Sequence, residues 1–128
     1  MYTFDNQLRG ITFDDAIART KQVLATRGFG VLTEIDMQKT MKAKLDVDIP
    51  AYVILGACNP KMAYEALQLE PRAGAMLPCN VIVRELADGV IEVSAIDPVA
   101  SMTAIDNPAL QAVAGKVQSL LSEAANEL

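Results

Sequence analysis

The chain has no histidine and no tryptophan, three tyrosines, three phenylalanines and two cysteines. Each shortage excludes something. Without His there is no imidazole to ligate haem, to serve as a base beside a Ser or Cys nucleophile, or to complete a metal cage. Two thiols per chain do not make a four-ligand zinc site, which would need two copies meeting at a symmetry axis. No glycine-rich phosphate loop and no recognisable catalytic triad are present. No apolar run approaches the roughly 18 residues that a membrane-crossing helix requires. Basic clusters are also missing: 11 Lys and Arg stand against 16 Asp and Glu, for a net charge of −5. That balance lacks the electrostatic footprint of a nucleic-acid binder and disfavours anionic membrane surfaces.

What the chain does have is apolar residues, which make up 52% of its 128 positions. A chain of this length can bury a core without disulfide or metal staples, so one domain over residues 1–128 is expected. The apolar content is high for a small soluble monomer, and a homo-oligomer, most simply a dimer, is the expected outlet for the excess. The segment Met1 to Asn6 has neither a basic n-region nor an apolar h-region, so it does not read as a signal peptide; a reduced cytoplasmic setting is the expectation.

Alternation and capping signals give an element order. Tyr2 to Leu8 reads as a strand. Thr12 is an N-cap, with Asp14 and Asp15 in the first turn of a helix that Arg27-Gly28 closes. Phe29 to Asp36 is a strand, and Asp36 caps a short helix from Met37 to Leu45 whose lysines are solvated. Pro50 opens the apolar strand Ala51 to Leu55. Asn59-Pro60 is a cap followed by proline at the first helical position, and Glu70-Pro71 ends that helix. Arg72 to Leu77 is a turn or helical piece. Cys79 to Leu86 and Val90 to Ile96 form a hairpin about Asp88-Gly89, which Asp97-Pro98 breaks. Residues 99–107 read as irregular. Asn107-Pro108 starts a last helix with the apolar stripe Leu110, Val113, Ala114, Val117, Leu120, Leu121 and Ala124. Helices do not alternate with strands to the end, so an α+β fold fits: a mainly antiparallel sheet with helices packed on one face.

Two segments concentrate the chemistry. Leu55-Gly56-Ala57-Cys58-Asn59-Pro60 is echoed by Leu77-Pro78-Cys79-Asn80-Val81, and both cysteines of the chain lie there. Cys58 ends one strand and Cys79 begins the next. If those strands are antiparallel, the thiols share one end of the sheet; if parallel, about 25 Å separates them, at roughly 3.3 Å per residue. Adjacent thiols could form a reversible disulfide, bind a soft metal or hold a covalent intermediate. Cys58 precedes a helix cap and Lys61, a setting that lowers a thiol pKa. The plainer account of each cysteine is a small buried hydrophobe. Asn59 is accounted for as a cap, while Asn80 sits in a strand, where Asn is disfavoured, and so points to a pocket or turn. Glu34 and Asp36 share a strand face as possible paired carboxylates. The six methionines are scattered and read as gap fillers rather than ligands.

The same segments carry a resemblance. Gly28 to Asp36, Tyr52 to Pro60, Ala63, Ala66-Leu67, Glu70-Pro71 and Gly74 to Val81 resemble, in order, the DUF302 family, a family of uncharacterised function. The resemblance implies a β-α-β(4)-α antiparallel arrangement like that of TATA-binding-protein-like folds, with inserted helices. It is compatible with oligomers and implies no reaction, and any cofactor is unknown. The residues themselves point first to a small-ligand or metal-binding module with Cys58, Asn59, Cys79 and Asn80 lining a pocket and Glu34 contributing. A structural or interaction protein with packing cysteines, and a thiol-dependent redox protein, are the alternatives.

Overall fold

The computed structural model describes the backbone of residues 1–128 and every side chain except that of Asp88. Strand β1 (Thr3–Leu8) leads into α1 (Phe13–Thr26), followed by β2 (Gly30–Asp36) and α2 (Met37–Leu45). Then come β3 (Tyr52–Cys58), α3 (Pro60–Leu69), a 3-10 segment (Pro71–Met76) and β4 (Cys79–Glu85). A 3-10 turn (Ala87–Gly89) joins β4 to β5 (Ile91–Ile96), and the one-turn helix α4 (Pro98–Ser101) precedes the long helix α5 (Pro108–Glu127). The strands form a five-stranded sheet in the order β1-β5-β4-β3-β2. Every neighbouring pair is antiparallel. The α+β class and the antiparallel sheet follow the expectation.

Local chemistry explains the helix starts. Thr12 Oγ1 accepts from the Asp15 amide at 3.1 Å, Asn59 Oδ1 from the Met62 amide at 3.3 Å, and Asn107 Oδ1 from the Leu110 amide at 3.1 Å. Each satisfies an amide that the helix leaves unpaired. Asp97 uses the same device: Oδ1 accepts from the Val99 amide at 3.0 Å, and Pro98 takes the first helical position. The stretch read as irregular from residue 99 therefore opens with a helical turn. At the end of α1, Gly28 takes a φ of +83°, which glycine adopts without a Cβ penalty.

One face of the sheet is the core. Val53, Leu55 and Ala57 of β3, Cys79, Val81 and Val83 of β4, and Ile91, Val93 and Ala95 of β5 pack with Ala16 and Leu24 of α1 and with Leu121 and Ala124 of α5. The period-2 pleat sends these alternate residues to one side. The buried Thr20 hydroxyl of α1 donates to the Ala16 carbonyl at 2.7 Å, so its burial leaves no orphaned hydroxyl. Asn6 of β1 donates to the Ala125 carbonyl at 2.9 Å and ties the end of α5 to the edge of the sheet. A second, smaller cluster joins Ala66 of α3 and Met102 to Leu110, Val113 and Ala114 at the start of α5. Leu77 packs against both clusters. The opposite sheet face carries the cross-strand row Ile35, Ile54 and Ile82, set by the pairs Ile35 with Ile54 and Ile54 with Ile82.

Strand β3 runs three residues beyond the expected Leu55, through Gly56, Ala57 and Cys58. Gly56 is the reason. It is buried, and a Cβ built there would collide with Thr33 Oγ1 and stand 2.8 Å from Pro78 Cγ. Only a residue without a side chain lets β2 and the start of β4 close on β3 at this level. Gly56→Ala is expected to lower stability by about 1–3 kcal/mol through overpacking. The measurement is the urea midpoint against wild type; an unchanged midpoint would show that Thr33 and Pro78 simply move aside.

Candidate functional site

The antiparallel pairing of β3 with β4 places Ala57 directly opposite Cys79. Cys58 is the next residue along, so both cysteines stand at the same rim of the sheet. Above that rim α3, α4 and α5 close over the strand ends and leave a recess at the seam between the two hydrophobic clusters. Its cavity volume is about 30 Å³, enough for one or two water-sized groups but lined almost wholly by apolar atoms, and such cavities stay dry.

Three of the five residues singled out in the sequence border this recess: Cys58, Asn59 and Cys79. Asn59 is positioned twice over. Its carbonyl caps α3, and its amide nitrogen would lie 3.0 Å from a Cβ added to Gly28. Gly28 thus ends α1 and makes room for the asparagine. The other two lie elsewhere. Asn80 pairs with Gly56 in the ladder and is exposed, on the sheet face turned away from α1 and α5. Glu34 accepts from Lys21 Nζ of α1 at 3.1 Å, with both side chains nearly half exposed. Asp36 caps α2 through a 2.9 Å bond from the Lys39 amide. The two carboxylates share a strand face and have separate structural partners rather than a common site.

Sequence reasoning passed over two other side chains of the recess, Met62 and Met102. Met62 lies in the first turn of α3, where its amide donates to the Asn59 cap that directly follows Cys58, so it stays at the same end of the sheet. Met102 ends α4 and is 4% exposed. Its placement depends on the Asp97 cap, which is why reading residues 99–107 as irregular hid it.

Both thiols are free. Burial pushes the Cys58 thiol above its ordinary range, opposite to the lowering expected from the helix start and Lys61. Lys61 is exposed to solvent, so its charge is screened while the cost of desolvating a thiolate remains. Cys79 is pushed up further, to about 11, by burial first and then by the neighbouring Cys58 charge. Two neutral thiols at neutral pH do not make an activated nucleophile. Among the described residues no group of three or more His, Cys, Asp or Glu is placed to hold a metal ion.

The chain matches the family model "Domain of unknown function DUF302" over residues 5–128. It belongs to the DUF302 family. A crystal structure of an uncharacterized conserved DUF302 protein from Bacillus stearothermophilus is similar to this chain at 25% identity, covering 96% of each chain, with a TM-score of 0.85. Comparison with curated proteins gives no match. The family therefore accounts for the fold of this DUF302 domain and leaves its chemistry to be read from the recess. Among the described residues no helix is long and apolar enough to cross a membrane.

The raised pKa of Cys79 has a definite sign for stability. Between the unfolded thiol value near 9 and about 11, the folded chain holds a proton that the unfolded chain has lost. Stability is therefore full below pH 9 and falls as pH rises towards 11, by on the order of 2 kcal/mol for this one group. Cys79→Ala should flatten that alkaline slope in denaturant titrations from pH 8 to pH 11, and an equal slope in wild type and variant would refute the assignment.

Proposed function

We propose that this DUF302 domain is a binding module that holds one small guest in the rim recess between the sheet and helices α3, α4 and α5. The observation that carries the reading is the convergence of Cys58, Asn59 and Cys79 on a single void at the seam of two cores. Native interiors rarely keep an unfilled seam, and this one is bordered by the reactive groups of an otherwise inert chain. The cavity volume of about 30 Å³ fits a single ion or a group the size of a methyl or diatomic, not a nucleotide or sugar, whose pockets start at roughly 300 Å³. The neutral thiols weigh against the redox alternative, because a resolving pair needs an accessible thiolate. Native mass spectrometry of the chain purified without chelator should reveal a mass excess that unfolding releases. Ala63→Leu, which fills the recess from α3, should abolish it. Wild type carrying no excess, or an excess that survives Ala63→Leu, would sink the proposal.

A second reading concerns assembly, and the isoleucine row favours it. Ile35 is 46% exposed. With Ile54 and Ile82 beside it in the ladder, Ile35 forms an apolar row on the sheet face opposite α1 and α5, suited to packing against the same face of a second copy. Sedimentation equilibrium should return a dimer for wild type and a monomer for Ile35→Glu; a wild-type monomer at high micromolar concentration would remove this reading.

A further inference from the structure

Four sulfur-containing residues border the one recess: Cys58, Cys79, Met62 and Met102. The chain has only two Cys and six Met in all, and they arrive at the recess from four different places: the end of β3, the start of β4, the first turn of α3 and the end of α4. None of the residues bordering the recess carries a charged side chain, and the lining offers no carboxylate or imidazole. A donor set of thiolate and thioether without hard or borderline ligands selects a soft cation, and among biological metals that is Cu(I).

We propose that the guest of this recess is a single Cu(I) ion held by Cys58 and Cys79, with Met62 and Met102 as neutral thioether donors. The inference rests on the binding-module reading above and names its ligand. The step balances without an oxidant or reductant: the copper arrives and stays as Cu(I), two S–H bonds are lost, two Cu–S bonds form, and two protons leave to solvent. The product is a bis-thiolate copper centre with one net negative charge. One feature offsets part of the cost of holding that charge away from water. The recess lies at the N-terminus of α3, a ten-residue helix whose dipole favours negative charge. The thioethers raise the coordination number without adding further charge to a low-dielectric site. A cavity of about 30 Å³ accommodates a bare ion stripped of water, which suits a cation held by sulfur ligands alone. Zn(II) is disfavoured by the same lining, since it takes thiolate, imidazole or carboxylate ligands and only two of these donors are thiolates.

The test uses the full chain, titrated anaerobically with Cu(I) in competition with a chromophoric Cu(I) chelator. One copper per chain and a sulfur-only first shell in copper-edge X-ray absorption are expected. Cys58→Ser and Cys79→Ser should each weaken binding by roughly a hundredfold or more, and Met62→Leu or Met102→Leu, which conserve volume, by a few-fold to about tenfold. Zn(II) alone should not compete. The X-ray absorption readout on wild type needs no variant, so a misfolded serine variant does not shelter the idea. A nitrogen or oxygen first shell, copper affinity unchanged in the double serine variant, or no copper taken from the chelator would overturn the proposal. If copper fails while the native protein still carries another guest that Ala63→Leu expels, the metal assignment falls and the binding module stands. If copper is bound through sulfur yet Ala63→Leu leaves that binding intact, the thiols hold it outside the recess and the proposal falls as well.

Discussion

The register between β3 and β4 is the constraint on which the rest of this molecule depends. Its ladder bonds pair Ala57 with Cys79 and Gly56 with Asn80. Slipping one strand by one residue would send its core set, Leu55 and Ala57 or Cys79 and Val81, to the other face. Two side-chain-free or cyclic residues pin it. Gly56 admits Thr33 and Pro78 against its α-carbon, and Pro78 directly precedes β4, where no ladder amide is needed. Antiparallel pairing then does the spatial work, since the chain can leave one strand end, build α3 and return to the same rim.

How much of this is visible in a sequence depends on the range of the interaction involved. The caps at Thr12, Asn59 and Asn107 are local and readable, because side-chain acceptor and backbone donor lie within three residues. Asp97-Pro98 is chemically the same signal as Asn59-Pro60, yet the small residues after it obscured the helical turn that carries Met102. The two cysteines were legible as a pair through their spacing against the strand pattern. The methionines were not, because thioethers are usual packing atoms and only tertiary structure shows that Met62 and Met102 meet the same void. Asn80 and Glu34 illustrate the opposite failure. A strand polar residue and a strand carboxylate look functional in one dimension, and in the fold one is a solvent-facing position while the other is paired to Lys21.

The cysteine pKa values show which physical effect wins. Proximity to a helix start favours thiolate, and removal from water opposes it; here removal from water prevails at both positions. Protonated thiols in an apolar recess are poor nucleophiles. They remain competent soft-metal ligands, because a metal that binds thiolate supplies the charge compensation that the surroundings withhold. The same burial that argues against redox catalysis is thus compatible with metal capture.

Helix α5 belongs to both hydrophobic clusters, contributing Leu110, Val113 and Ala114 to one and Leu121 and Ala124 to the other. The void lies where those clusters meet, so it exists only while both are docked. Any occupant held there acts as an adhesive between two halves of the molecule, and its concentration sets how tightly they cohere, by mass action on the closed form. Heat or denaturant resistance would then report cargo status directly, turning the folded lifetime of the chain into a gauge of supply.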